Sequence, residues 1–434
     1  MQLYHVRTQE KRVFATVRVP GSKSMSNRAF LLAALSPEPV TLYHLLESQD
    51  TIYMAKALSQ MGIFLDWDTK TRVAMVKGGR RPTGDHTFFV GNAGTAMRFL
   101  VSYVSLGEGE FVLDGDERMR QRPIEDLLLA LRELGVDAVS KRQNGCPPVV
   151  VRACGARGGL CHLPGEKSSQ YLSSLLMAAP QFSGETEIVV EGELASKPYA
   201  DMTVTMMEHF GVKVRKEGYE KFWVEPQVYA SPGRYPIEAD ASSASYFLAM
   251  GAILGGEIRL EGVGSESLQG DSRFASVLEK MGCEVAYEPN AVVLRSERKL
   301  KGIVVDLNDM PDLVPTLAVT ALFAEGETRI LNVANLRIKE CDRLSALARE
   351  LSRIGASVEE GPDYLVIKGK DSYHGAQLHT YEDHRMAMAF SLVGLKVEGI
   401  IIENPGCVSK SFPEYFEYFE AVAYGEGRVT IGEN

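Results

Sequence analysis

Two kinds of helical pattern alternate along this chain. In "MAKALSQMGIFLDW", "LLALRELGVDAVS", "MTVTMMEHFGVKV", "SVLEKMGCEVAY" and "LARELSRIGASVEE", apolar residues recur at helical spacing on one side. A glycine ends each pattern and a short strand-favouring run follows. Such a glycine supplies the left-handed residue that lets a chain leave a helix. The glycines are Gly62, Gly135, Gly211, Gly282 and Gly355, so the period is 71 to 76 residues. A weaker sixth copy, "YFEAVAYGEGRV", places Gly425 another 70 residues on.

Between these lie six segments that are apolar nearly all round: "SNRAFLLAAL", "GTAMRFLVSYV", "SSQYLSSLLMAA", "SASYFLAMGAIL", "DLVPTLAVTALF" and "HRMAMAFSLVGL". That pattern marks buried helices, and each leads through a turn into a strand rich in Val, Ile or Leu. The chain is therefore predicted to be α/β, built from six copies of a unit with one buried helix, one amphipathic helix and several strands. The period does not match the common solenoids, so it indicates duplication inside a compact fold. Three copies precede residue 240 and three follow it, with the loop-like "QVYASPGRYPIEAD" between. Two domains of three units follow, at 21–239 and from 240 on, with a ligand site expected between them.

Composition narrows the field. A chain of 434 residues exceeds what one core usually supports. A formal charge of −10 argues against nucleic acid as main partner, although a local cationic cleft remains compatible with it. The first residues, "MQLYHVRTQEKRVF", form no signal peptide, and no apolar stretch is long enough to span a membrane, so the expected location is the cytoplasm. Cys146, Cys154, Cys161, Cys283, Cys341 and Cys407 are dispersed without a C-x-x-C pair, which suggests reduced thiols. The histidines show no metal-binding spacing, and there is no phosphate-binding P-loop, dinucleotide fingerprint or serine-hydrolase elbow. No metal and no cofactor are expected.

The candidate chemistry gathers at the starts of the buried helices: "GSKSMSNR", "GNAGTAMR", "GEKSSQY", "EADASSASY", "NDMPDLVP" and "TYEDHRMAM". Helix N-termini offer unsatisfied N–H donors and partial positive charge. Capping accounts for the serines and Asp240. It accounts poorly for Lys23, Arg28, Arg98 and Arg385, since cations are unfavourable there unless an anion lies close. For Lys23 and Arg28 two readings stand: both point into water, or both receive a phosphate or carboxylate. Other clusters lie on connections: Arg118, Arg120 and Arg122 in "ERMRQRP", Ser196, Lys197 and Tyr199 in "ASKPYADM", and Lys410 in "NPGCVSKSFPEYF". In "NLRIKECDRL", read as a helix, Lys339 and Arg343 share a face, where like charges repel unless they are solvated or an anion lies between them.

Taken in order, "PGSKSMSNR", "GNAGTAMR", "RQRPI", "SSQYL", "SKPYADMT", "DASSASYFLA", "PDLVPTLA", "NLRIKECDRL", "YEDHRMAM" and "SKSFPEYF" resemble the 3-phosphoshikimate 1-carboxyvinyltransferase family of enolpyruvyl transferases, over residues 10 to 420. The resemblance implies a two-domain inside-out α/β prism of six units around an interdomain cleft, with "RVFATVRVP" joining the C-terminal half. The domains would then be 1–20 with 240–434, and 21–239. It implies transfer of the enolpyruvyl group of phosphoenolpyruvate to the 5-hydroxyl of shikimate 3-phosphate. For shikimate 3-phosphate it implies Lys23, Ser24, Arg28, Ser168, Ser169, Gln170, Ser196, Tyr199, Asp312, Asn335 and Lys339. For phosphoenolpyruvate it implies Lys23, Asn92, Gly94, Thr95, Arg122, Gln170, Arg343, Arg385 and Lys410. Asp312 is the expected base, with Lys339 orienting the hydroxyl, and Glu340 the expected acid, with His384 and Lys23 as alternatives.

The chain departs from the family pattern at Phe99, where several members carry proline, at Lys167, where a neutral residue is common, and at Cys341. A monomer acting on small anions is implied, with no nucleic-acid or membrane partner. Two rival readings are a UDP-N-acetylglucosamine enolpyruvyl transferase and a non-catalytic binding paralogue. The first is disfavoured because "DGDERMRQRP" lacks the cysteine typical of that loop. The second is disfavoured because Asp312, Glu340, Lys23 and His384 are all present.

Overall fold

Twelve α-helices alternate in kind along residues 2–297 and 299–432, the part of the chain that the computed structural model describes. They are α1 (Lys23–Leu35), α2 (Gln49–Gln60), α3 (Gly94–Val104), α4 (Glu125–Glu133), α5 (Ser169–Ala178), α6 (Lys197–His209), α7 (Ala241–Leu254), α8 (Phe274–Lys280), α9 (Val314–Ala321), α10 (Arg343–Arg353), α11 (His384–Val393) and α12 (Tyr415–Tyr424). The odd-numbered helices are buried from end to end, as their unbroken apolar pattern requires. Only Ser24 in α1 and Gln170 in α5 escape full burial, and both are substrate-contact candidates. The even-numbered helices bury one face; in α10 that face is Arg343, Leu344, Ala346, Leu347, Glu350 and Leu351.

The predicted helix-ending glycines adopt the left-handed conformation, with φ of 84° at Gly62, 85° at Gly135, 78° at Gly211, 110° at Gly282 and 85° at Gly355. Gly425 does not: it leaves α12 in an extended conformation at φ −65°. Its neighbour Gly427 carries the positive φ instead, at 70°.

The chain divides into two compact units, Gly21–Ile237 and Met1–Pro20 with Glu238–Asn434. In the first, three four-stranded sheets share one plan: a parallel pair followed by two antiparallel strands. Thus His86–Phe89 runs parallel to Glu108–Asp114, which pairs antiparallel with Val149–Cys154, itself antiparallel to Asp137–Ser140. The parallel partner of Val40–Tyr43 comes from the far end of the unit, Arg234–Pro236, so the segment closes on itself. Helix α3 packs between α1 and α5 inside it.

In the second unit the sheet of Val304–Asp306, Glu327–Leu331, Leu365–Lys368 and Ser357–Glu360 repeats the plan. A five-stranded sheet places Val13–Val17, from the chain's beginning, parallel to and between Gly256–Glu261 and Arg428–Ile431. Helices α7, α9 and α11 pack on one another at the centre of this unit. Within this unit the starts of α9 and α11 lie close together, since Asp312, just before α9, accepts from Arg385 in the first turn of α11.

Candidate active site

In the unit 21–237, Ser22 caps α1 by accepting the Met25 N–H at 3.4 Å, which fixes Lys23 in the first turn. Its Nζ lies 3.5 Å from a buried carboxylate oxygen of Asp50, on the first turn of α2. That acid offsets the cation's unfavourable place at a helix start.

Arg28 is different, because it is fully buried and no carboxylate among the described residues pairs with it. It donates to Thr203 Oγ1 at 2.7 Å, the Ser24 carbonyl at 3.0 Å, Ser173 Oγ at 3.1 Å and the Tyr199 carbonyl at 3.3 Å. The Phe99 ring lies 5.1 Å from the guanidinium carbon and the Tyr199 ring 6.0 Å. Burial pulls its pKa down to about 10. Arg28 thus ties α1, α5 and α6 together while keeping a positive charge that only dipoles and rings offset.

Ser168 caps α5 through the Gln170 N–H at 3.2 Å, and Ser196 holds a left-handed conformation, φ 59°, at the start of α6. Lys167 is drawn to Asp126 on α4, 2.8 Å away. The start of α3 has no side-chain cap at Ala93, and Gly94 there faces the Arg122 guanidinium. Arg122 in turn donates to Asn92 Oδ1 at 2.9 Å and to its carbonyl at 3.2 Å. Thr95 is buried in the same first turn.

The second unit holds a denser cluster. Asp312, on the one-turn helix Pro311–Leu313 leading into α9, accepts from Arg343 Nη1 at 2.9 Å and Arg385 Nη2 at 2.8 Å. Lys339 Nζ is 3.8 Å from the same carboxylate. Lys339 and Arg343 do not share a helix face: Asp342 caps α10, which starts at Arg343, and Lys339 precedes it in extended backbone. They converge on Asp312 from different elements, so the anion their proximity demands is part of the chain.

Arg343 also donates to Glu340 Oε2 at 2.9 Å and, through Nε, to Asp383 Oδ2 at 2.7 Å. Lys410 Nζ approaches Glu340 at 4.0 Å. Asp383 caps α11 by accepting the Arg385 N–H at 2.9 Å, and His384 Nδ1 stands 3.6 Å from it. Burial pushes the Asp312 pKa up, but Arg385, Lys339 and Arg343 outweigh it and hold the carboxyl far below the usual range. Asn335 Oδ1 is buried on the adjacent turn with no hydrogen-bond partner among the described residues.

The structure thus brings Asp312, Lys339, Glu340, Arg343, His384, Arg385 and Lys410 into one cluster, Gly94, Asn92 and Arg122 into another, and Arg28 with Tyr199 into a third. Ser168, Ser169, Gln170 and Ser196 lie at the starts of α5 and α6. The sequence reading missed Asp50, Ser173, Thr203 and Asp383, although the last lies inside the quoted "YEDHRMAM". Chemically, the second-unit cluster pairs four cations with carboxylates able to exchange protons, an arrangement suited to an anionic substrate that gains and loses a proton. Among the described residues no group of three or more His, Cys, Asp or Glu side chains is placed to hold a metal, and no helix is long and apolar enough to cross a membrane.

The model of the family described as EPSP synthase (3-phosphoshikimate 1-carboxyvinyltransferase) matches residues 7–419. The chain belongs to the EPSP synthase family. It is 47% identical over 416 residues to a 3-phosphoshikimate 1-carboxyvinyltransferase of Shewanella woodyi, covering 95% of this chain and 97% of that one. To a protein of the same name from Vibrio vulnificus it is 48% identical over 411 residues, 94% of this chain and 96% of the other. The solved EPSP synthase of Acinetobacter baumannii superposes with a TM-score of 0.81 at 26% identity, covering 98% of both chains. The mixed α/β architecture is therefore that of the EPSP synthases.

Proposed function

We propose that this chain is a transferase that moves the enolpyruvyl group of phosphoenolpyruvate onto the 5-hydroxyl of shikimate 3-phosphate, releasing inorganic phosphate, in aromatic biosynthesis. Membership of the EPSP synthase family carries the reaction class. The observation within the chain that supports it best is the Asp312 cluster, where a carboxylate, three nearby cations and Glu340 meet.

In the proposed sequence the 5-hydroxyl oxygen bonds to C2 of phosphoenolpyruvate as Asp312 takes its proton and Lys339 orients it. The methylene carbon gains one proton from Glu340, with His384 or Lys23 as the alternative donor, giving a tetrahedral intermediate. Loss of a proton from the new methyl group and cleavage of the C2–O bond to phosphate then yield the enolpyruvyl ether. Arg122, Arg343, Arg385 and Lys410, with Lys23, Asn92, Gly94, Thr95 and Gln170, hold phosphoenolpyruvate and stabilise the departing phosphate. Lys23, Ser24, Arg28, Ser168, Ser169, Gln170, Ser196, Tyr199, Asp312, Asn335 and Lys339 hold shikimate 3-phosphate, and the buried, carboxylate-free charge of Arg28 supports its place in that set.

The same proposal includes the six-unit prism, a cytoplasmic location and a monomer, the last testable by light scattering. The decisive experiment measures phosphate release with phosphoenolpyruvate, with and without shikimate 3-phosphate, for the native chain and Asp312→Ala. Release that needs both substrates and falls at least ~10³-fold in the variant supports the proposal. No release with either shikimate 3-phosphate or UDP-N-acetylglucosamine as acceptor would leave a binding protein.

A further inference from the structure

Asp312 has two roles to reconcile. As a base it must have enough proton affinity to take a hydroxyl's proton, yet each of its oxygens accepts from a guanidinium, at 2.9 Å from Arg343 and 2.8 Å from Arg385, and those charges hold the proton off. Those two arginines belong to the proposed phosphoenolpyruvate set, so the substrate and the base call on the same donors. Glu340, the proposed acid, is tied in the same way, to Arg343 at 2.9 Å and Lys410 at 4.0 Å.

The partners of Arg343 are not equivalent. Asp383 is completely buried, caps α11 and grips Arg343 through Nε at 2.7 Å and Nη2 at 3.2 Å. Asp312 sits on a single turn with 19% of its side chain exposed, and it meets Arg343 through the outer Nη1 and Arg385 through Nη2, with Lys339 Nζ 3.8 Å away. Asp383 thus holds the Arg343 guanidinium by two contacts and Asp312 holds it by one.

We propose that phosphoenolpyruvate and Asp312 compete for Arg343 and Arg385, so that seating of the substrate's anionic groups detaches the carboxylate and frees it as base. This rests on the assignment of Arg343 and Arg385 to phosphoenolpyruvate. The consequence is a built-in order: the base is weak while the arginines hold it and gains proton affinity only when the enolpyruvyl donor is in place. The very low pKa that Arg385, Lys339 and Arg343 impose on Asp312 accords with this.

The test is calorimetric titration of the whole chain with phosphoenolpyruvate, without acceptor, for the native protein, Asp312→Asn and Asp271→Asn. Asp271 lies in the field of Asp312 and Arg385. The same substitution there controls for loss of a negative charge. The expected result is binding at least ~10-fold tighter to Asp312→Asn, within ~3-fold of native for Asp271→Asn, and loss of turnover in Asp312→Asn when shikimate 3-phosphate is added. Equal affinity of Asp312→Asn and native chain, or an equal gain in Asp271→Asn, overturns the competition while leaving the substrate assignment intact. Binding to none of the three overturns the assignment itself. Circular dichroism checks folding, and Asp312→Ser replaces the asparagine variant if that one does not fold.

Discussion

At Gly94 the absence of a side chain has a geometric cause. A Cβ built there lies 2.6 Å from Arg122 Nη2 and 2.9 Å from Nη1. A guanidinium is the far end of a flexible side chain, so Gly94→Ala should displace Arg122 rather than break α3. Alanine also favours a helix over glycine. The expected outcome is a melting temperature within a few degrees of native and a KM for phosphoenolpyruvate raised ~10-fold, equivalent to about 1.4 kcal/mol. An unchanged KM in steady-state assays would show that Arg122 does not hold that substrate. The cations at this scale were legible because positive charge at a helix start is conspicuous. Their acidic partners were not: in sequence Asp50 is an ordinary first-turn acid and Asp383 an ordinary cap, and only the packing of α1 on α2, and of the starts of α10 and α11, gives them a second role. Ser173 and Thr203 were equally silent, since a hydroxyl inside a helix carries no mark of the arginine it meets.

Elements were legible to the extent that their signal is local. Five glycines at a regular period foretold five left-handed helix ends, because no other residue enters that conformation without cost. Gly62 is the clean test, with φ of 84° and no atom within 4 Å of a Cβ placed there. Gly62→Ala should therefore destabilise through backbone conformation alone, by about 1–2 kcal/mol, and Gly62→Asn by less. Urea denaturation of the two variants measures this; equal midpoints for glycine and alanine would refute it. The sixth repeat misled because "YGEGRV" contains two glycines, and the left-handed turn falls at the second. Lys339 and Arg343 were misplaced on a common helix because Asp342 is also a good cap, and a cap inside a charged run looks like one more charge.

At the scale of the molecule, electrostatics inside the second unit set a pH dependence. Asp271 is buried and accepts from Ser242 Oγ. Burial first, and the charge of Asp312 second, raise its pKa to about 6. In an unfolded chain an aspartate ionises near ~3.9. Below that pH both states are protonated and the group contributes nothing. As pH rises from about 4 through 6 the unfolded chain releases its proton more readily, so folding stability is progressively lost. Asp271→Asn should thus match native stability near pH 4 and exceed it at pH 7, by up to about 3 kcal/mol. Chemical denaturation at the two pH values checks this, and a gap that does not change with pH would refute it. No sequence pattern pointed to Asp271, because its burial depends on how the 270–273 turn packs against α7.

The strand Val13–Val17 has a consequence for how the protein is made. Its neighbours, Gly256–Glu261 and Arg428–Ile431, are translated long after it. At ~5–20 residues per second, the roughly 240 residues between Val13 and Gly256 take on the order of 12–50 s to emerge. Throughout that interval the ribosome delivers Gly21–Ile237, whose every sheet is complete within its own span, including the closing pair of Val40–Tyr43 with Arg234–Pro236. The unit Gly21–Ile237 can therefore complete its sheets before Val13–Val17 gains either of its neighbours.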